Sequence, residues 1–107
     1  MMLHTKSNRD ALPFIGSQSE NPDPICQVKY FDPCGSWSWF AYEGGQEGDD
    51  YTFFGLVHGF EDELGYFSLN ELQSVKGPLG LGIERDMHWT PRPLSEVRAK
   101  LEAGQHA

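Results

Sequence analysis

From Tyr30 to Val75 the sequence contains no lysine and no arginine. Phosphates are held by basic patches, so this gap argues against direct binding of nucleic acid. Long apolar runs are missing too. None approaches the roughly 20 residues that cross a bilayer, so no membrane contact is expected. The opening MMLHTKSNRD lacks the apolar core of a secretory signal, which points to the cytoplasm. Cysteine is scarce. Cys26 and Cys34 are the only two, too few for a disulfide framework, and no Cys-x-x-Cys pair marks a zinc site. GPLGLG is rich in glycine, but it is neither GxGxxG nor a P-loop, and it precedes an expected strand instead of a helix.

What is present is acid and aromatic. Sixteen Asp and Glu face eight Lys and Arg, a net charge of −8. The base-free stretch holds nine of the acids: Asp32, Glu43, Glu47, Asp49, Asp50, Glu61, Asp62, Glu63 and Glu71. One part of the folded surface should therefore carry a strong negative field. The 107 residues suffice for one domain with a small core, and seven Phe, four Tyr and three Trp supply large buried area per residue.

Residues 1–22 are polar and without periodicity, and read as a flexible N-terminal tail carrying one apolar patch, Leu12 to Gly16. Residues 23–107 read as a single α+β domain. ICQVKYF alternates like a strand, with Cys26, Val28 and Tyr30 on one face. DPCGS is a turn. WSWFAYE is a second strand, with Trp37, Trp39 and Ala41 opposed to Ser38, Phe40 and Tyr42. GGQEGDD reads as a loop on composition. YTFFGLVHG, apolar on both faces, is expected to be central. After the acidic corner at Phe60–Gly65, Ser68 and Glu71 fit a capping box for a short helix that Gly77 and Pro78 stop. Ile83 to Trp89 alternates again, and Leu94, Val97 and Leu101 stripe a C-terminal helix that Pro93 opens and Gly104 ends. The expected fold is α+β: a mostly antiparallel sheet of about four strands, a short corner helix and a C-terminal helix.

The string YTFFGLVHGFEDELGYFSLNELQSVKGPLGLGIERDMHWTPRPLSEV resembles a small bacterial domain family without an assigned function. DPICQVKYFDPCGSWSWFAYE is similar to the opening hairpin of that family, so the resemblance covers about Asp23 to Val97. Such domains are carried by plasmids, phages and integrative elements, often beside anti-restriction genes. The resemblance implies an accessory role in a mobile element within a bacterial host cell, and it transfers no catalytic residues.

These observations favour a non-enzymatic, acidic, protein-binding accessory. The specific expectation is an anti-CRISPR or anti-restriction inhibitor that covers a basic nucleic-acid-binding surface of a host defence complex. Glu43, Glu47, Asp49, Asp50, Glu61, Asp62 and Glu63 are the expected partner-binding residues; the bland alternative is a face that only keeps the chain soluble. Arg85 interrupts an apolar strand face, so it is expected to be buried and paired, with the Glu61 corner as the suggested partner. No catalytic set is assigned. Ser36 or Cys34 with His58 or His88 and a carboxylate has the right residue types but no motif that positions a nucleophile. No metal or cofactor is expected, since GGQEGDD lacks calcium-loop spacing. Two other readings stay open: a small metal-dependent enzyme using His58, His88 and nearby carboxylates, and a structural partner that assembles through its aromatic face.

Overall fold

The computed structural model describes residues 2–77 and 79–107. It is an α+β fold built on a five-stranded antiparallel sheet. The strands are β1 (Ile25–Cys26), β2 (Val28–Phe31), β3 (Ser38–Glu47), β4 (Asp50–His58), β5 (Asp62–Ser68), β6 (Glu84–Arg85) and β7 (Arg92–Pro93). The helices are α1 (Lys6–Ala11), α2 (Leu69–Ser74) and α3 (Leu94–Glu102). The main sheet runs β5-β4-β3-β2-β6, and β1 pairs with β7 in a small second ladder. The strand from Ile25 to Phe31 thus breaks at Gln27, whose N–H still bonds the Ala41 carbonyl at 2.8 Å.

β4 is interior, paired on both sides by β3 and β5 as its two apolar faces require, although the middle of the five strands is β3. On one face Tyr51, Phe53, Val28, Tyr30, Ala41 and Phe67 meet Leu3, Leu12, Leu72 and Ile83. On the other, Phe40, Tyr42, Leu56 and Cys26 meet Leu94, Val97 and Ala107. A register shift between Ala41 and Glu43 marks a bulge in β3. Beside it Gly55 packs so closely that a Cβ would stand 1.8 Å from the Phe40 carbonyl oxygen.

Several expectations are corrected. GGQEGDD is not a loop: β3 and β4 run through it to a two-residue turn at Gly48, which takes φ +58, and Asp49. Pairing, not composition, decides here. The acidic corner shrinks to a turn in which Gly59 N–H bonds the Glu61 carbonyl, and β5 then pairs over seven residues. The strand expected over Ile83–Trp89 keeps only Glu84–Arg85. Asp86 ends it by accepting the His88 N–H at 3.1 Å in a side-chain turn. At α2, Ser68 accepts the Glu71 N–H at 3.1 Å, as the cap signal suggested. Pro78, part of the expected helix stop, lies outside the described residues.

The largest correction concerns residues 1–22. Their described part packs on the sheet instead of forming a flexible tail. Thr5 caps α1 in a reciprocal capping box with Asn8. Leu3 and Leu12 enter the first core, and the His4 ring packs 4.1 Å from Tyr51. Residues 13–18 then cross the edge of β3 that β2 leaves unpaired. Gly44 N–H bonds the Pro13 carbonyl at 2.9 Å, and Ile15 and Phe14 lie over Gly45.

Candidate functional site

β4 runs eight residue steps from Asp50 to His58, about 27 Å at 3.4 Å per residue. The seven expected partner-binding carboxylates divide along it. Glu47, Asp49 and Asp50 sit at the β3–β4 turn; Glu61, Asp62 and Glu63 sit at the β4–β5 turn. Glu43 joins neither group. It is buried, and its Oε1 and Oε2 accept the Gly16 N–H at 2.9 Å and the Gln18 N–H at 2.8 Å. The bulge aims it at the N-terminal strap, so it belongs to the fold. No periodicity in the sequence announces a bulge.

At the first end, Asp50 Oδ1 accepts the Asn70 N–H at 3.0 Å and the Tyr51 N–H at 2.7 Å. The Asn70 bond above all, opposed by desolvation and aided by the Tyr51 and Ser68 bonds, holds its carboxyl below the usual range. Glu47 accepts the Thr52 hydroxyl at 2.6 Å. Together with Ile15, Tyr66, Ser68 and Glu71, these groups border a concavity of about 480 Å³. At the second end, Glu61 and Glu63 are exposed on a smaller hollow with Trp37, Val57, Gly59 and Phe60. The Trp37 ring lies over Gly59, where a Cβ would meet it at 2.5 Å, and the Phe60 ring stands edge-on to it at 5.3 Å. Asp62, exposed on the same side of β5 as Leu64 and Tyr66, pairs with His58 Nδ1.

Between the ends lies an apolar band that the sequence reading missed. Leu64 and Tyr66 project from β5 on the same side as Phe54, with Tyr66 66 % and Leu64 45 % exposed. Phe54 and Tyr66 touch edge to face at 4.7 Å. The available signal was Leu64 and Tyr66 at strand spacing in DELGYFS, hidden by reading the segment as a corner. No lysine or arginine occurs in β3, β4, β5 or α2. The arrangement is an exposed apolar pair on β5 with acid at both ends of the strand, Asp62 on the same face and Glu63 on the opposite one, features found at protein-docking surfaces. Phe40 and Tyr42 are buried and Trp39 packs on the first core, so little of the WSWFAYE aromatic set remains as a stacking platform.

A second cleft, about 470 Å³, opens near His58. Lys29, Ser36, Trp37, Ser38, His58 and His106 are among its lining residues. Ser38, His58 and Asp62 stand side by side on β3, β4 and β5 as direct cross-strand partners. His88 lies elsewhere, in the Asp86 turn. Among the described residues no three His, Cys, Asp or Glu side chains converge as a metal-holding group. Cys26 is fully buried, and burial pushes its thiol up to about 12; Cys34 is exposed. Arg85 does not reach the Glu61 corner, because three strands separate β6 from β5. Its guanidinium donates to Asn8 Oδ1 at 2.6 Å and Thr5 Oγ1 at 3.5 Å, linking β6 to the cap of α1. Among the described residues no helix is long and apolar enough to cross a membrane.

The chain belongs to a family described as proteins of unknown function, DUF2958, which it matches over residues 2–105. No curated protein and no solved structure matches it.

Proposed function

We propose that this family member is a non-enzymatic, acidic accessory that docks on a basic, nucleic-acid-binding surface of a partner protein and keeps nucleic acid from it. The observation that carries this reading is the β5 band: exposed Leu64 and Tyr66 with Glu61 and Glu63 at one end and Glu47, Asp49 and Glu71 at the other. An apolar centre supplies adhesion, while acidic rims steer a basic partner and reject an acidic one. The mobile-element setting implied by the resemblance narrows the partner to a host defence complex of the CRISPR or restriction kind, in the cytoplasm of a bacterial cell.

The test is retention of host proteins on the immobilised chain at low and high salt, with added duplex DNA as competitor. A nucleic-acid-binding complex should be retained, released by salt, and released by DNA. The pairs Glu61→Lys with Glu63→Lys, and Glu47→Lys with Asp49→Lys, should each weaken binding on the order of tenfold, about 1.4 kcal/mol, and leave the fold intact. Undiminished binding by both double variants would falsify the electrostatic reading. The row Ser38–His58–Asp62, of which Ser38 and His58 line the second cleft, favours a second reading, a small enzyme in which Asp62 orients His58 as a base. Ester turnover that disappears in His58→Ala would move the assignment there.

A further inference from the structure

We propose that the open edge of β5 accepts an extended basic segment of the partner as an added antiparallel strand. This inference rests on the docking reading above and specifies its chemistry. The molecule covers its other long edge: residues 13–18 strap the part of β3 that β2 leaves free, and β6 flanks β2. β5 is treated differently. It pairs with β4 in unbroken register from Asp62 to Ser68, and no strand lies beyond it among the described residues. α2 turns back over the Phe53–Phe67 face, burying Leu72, so it does not run beside this edge. Exposed edges are normally blunted by proline, a bulge or charged side chains; β5 has no proline, bulge or lysine, and its charges, Asp62 and Glu63, stand at its start and turn away an acidic strand while admitting a basic one.

Charge selects the occupant. Glu61, Asp62 and Glu63 open the strand and Glu71 follows it, with Asp50 and Glu47 beside that end. A second copy in antiparallel pairing would set acidic end against acidic end twice, so a second copy is repelled. The complement is a segment of about seven residues, about 20 Å long, with Lys or Arg at both ends and alternate apolar side chains against Leu64 and Tyr66. Main-chain bonds would hold it and the alternating side chains would select it, the mode of strand addition.

The probe is a fluorescent peptide, Lys-Lys-Thr-Val-Thr-Val-Thr-Lys-Lys, titrated into the full chain at low salt. Two derivatives are N-methylated on alternate residues, one on the threonines and one on the valines. Strand addition uses only one set of N–H groups, so one derivative should bind at least tenfold more weakly than the other, and amide exchange should slow in β5 alone. Equal binding by both derivatives, or no binding by the parent peptide, overturns the proposal. Equal binding that is still lost in the charge-reversed variants defeats strand addition and leaves the docking reading standing. Parent binding unaffected by charge reversal defeats the docking reading itself.

Discussion

Glu43 shows how a single residue changes meaning on folding. In sequence it is one acid among nine; in the structure it is the acceptor that ties the N-terminal strap to β3 through two backbone N–H groups. Glu43→Ala would take the charged acceptor from two N–H groups, of exposed Gly16 and half-buried Gln18, and leave a gap where the buried carboxylate stood. The expected cost is about 2–4 kcal/mol, read as a lowered denaturation midpoint. Proteolysis should then cut first within residues 13–18. Glu43→Gln keeps one acceptor oxygen and should lose less. A variant as stable as the parent would mean that the strap does not depend on this contact.

At the scale of elements, the tightest constraint lies between β3 and β4. Gly55→Ala would push a methyl group into the Phe40 carbonyl, a backbone atom that moves only with its strand. We expect a loss of about 3 kcal/mol or more, measured by chemical denaturation, with poor soluble yield as the alternative sign. Helices α2 and α3 and the interior strand β4 were legible in the sequence because their signals are local, whereas α1 was hidden in a stretch without periodicity. Ser68 three residues before Glu71, the stripe Leu94–Val97–Leu101 and the two-faced apolar run of β4 need no distant partner to be read. What was illegible depends on pairing. Gly44, Gly45 and Gln46 look like loop residues until Phe53, Thr52 and Tyr51 stand opposite them. Asp23 looks like an ordinary residue at the domain's entry until its carboxylate takes the Ser95 N–H at 2.8 Å and the Ser95 hydroxyl at 2.6 Å, serving as the missing cap of α3. The candidate site suffered the same way: its acids were visible, but their division between two ends follows from the β4–β5 hairpin.

For the whole molecule, these distant ties set the response to acid. Burial, then Arg9 and Arg85, lower the pKa of His4, so the folded state holds it neutral. Its contribution is complete above the ordinary histidine value near 6.5 and declines as pH falls below it. Asp23, lowered by the Ser95 hydroxyl and N–H, and Asp50, lowered by the Asn70 N–H, act further down. Their contributions are complete above the usual carboxylate value near 4 and are lost as pH falls through the lower folded values. Thermal stability should therefore fall in two stages on acidification, and His4→Phe should flatten the first. A single loss confined below pH 4 would contradict the role given to His4. The strap also reverses the order of assembly relative to the order of synthesis. Leu3, Leu12 and Pro13 leave the ribosome before the strands they rest on, Gly44, Tyr51 and Phe53 among them, exist. These residues must wait for the hairpin and close over it, so a nascent chain halted before β4 would expose the Leu3 and Leu12 side chains for a chaperone to hold.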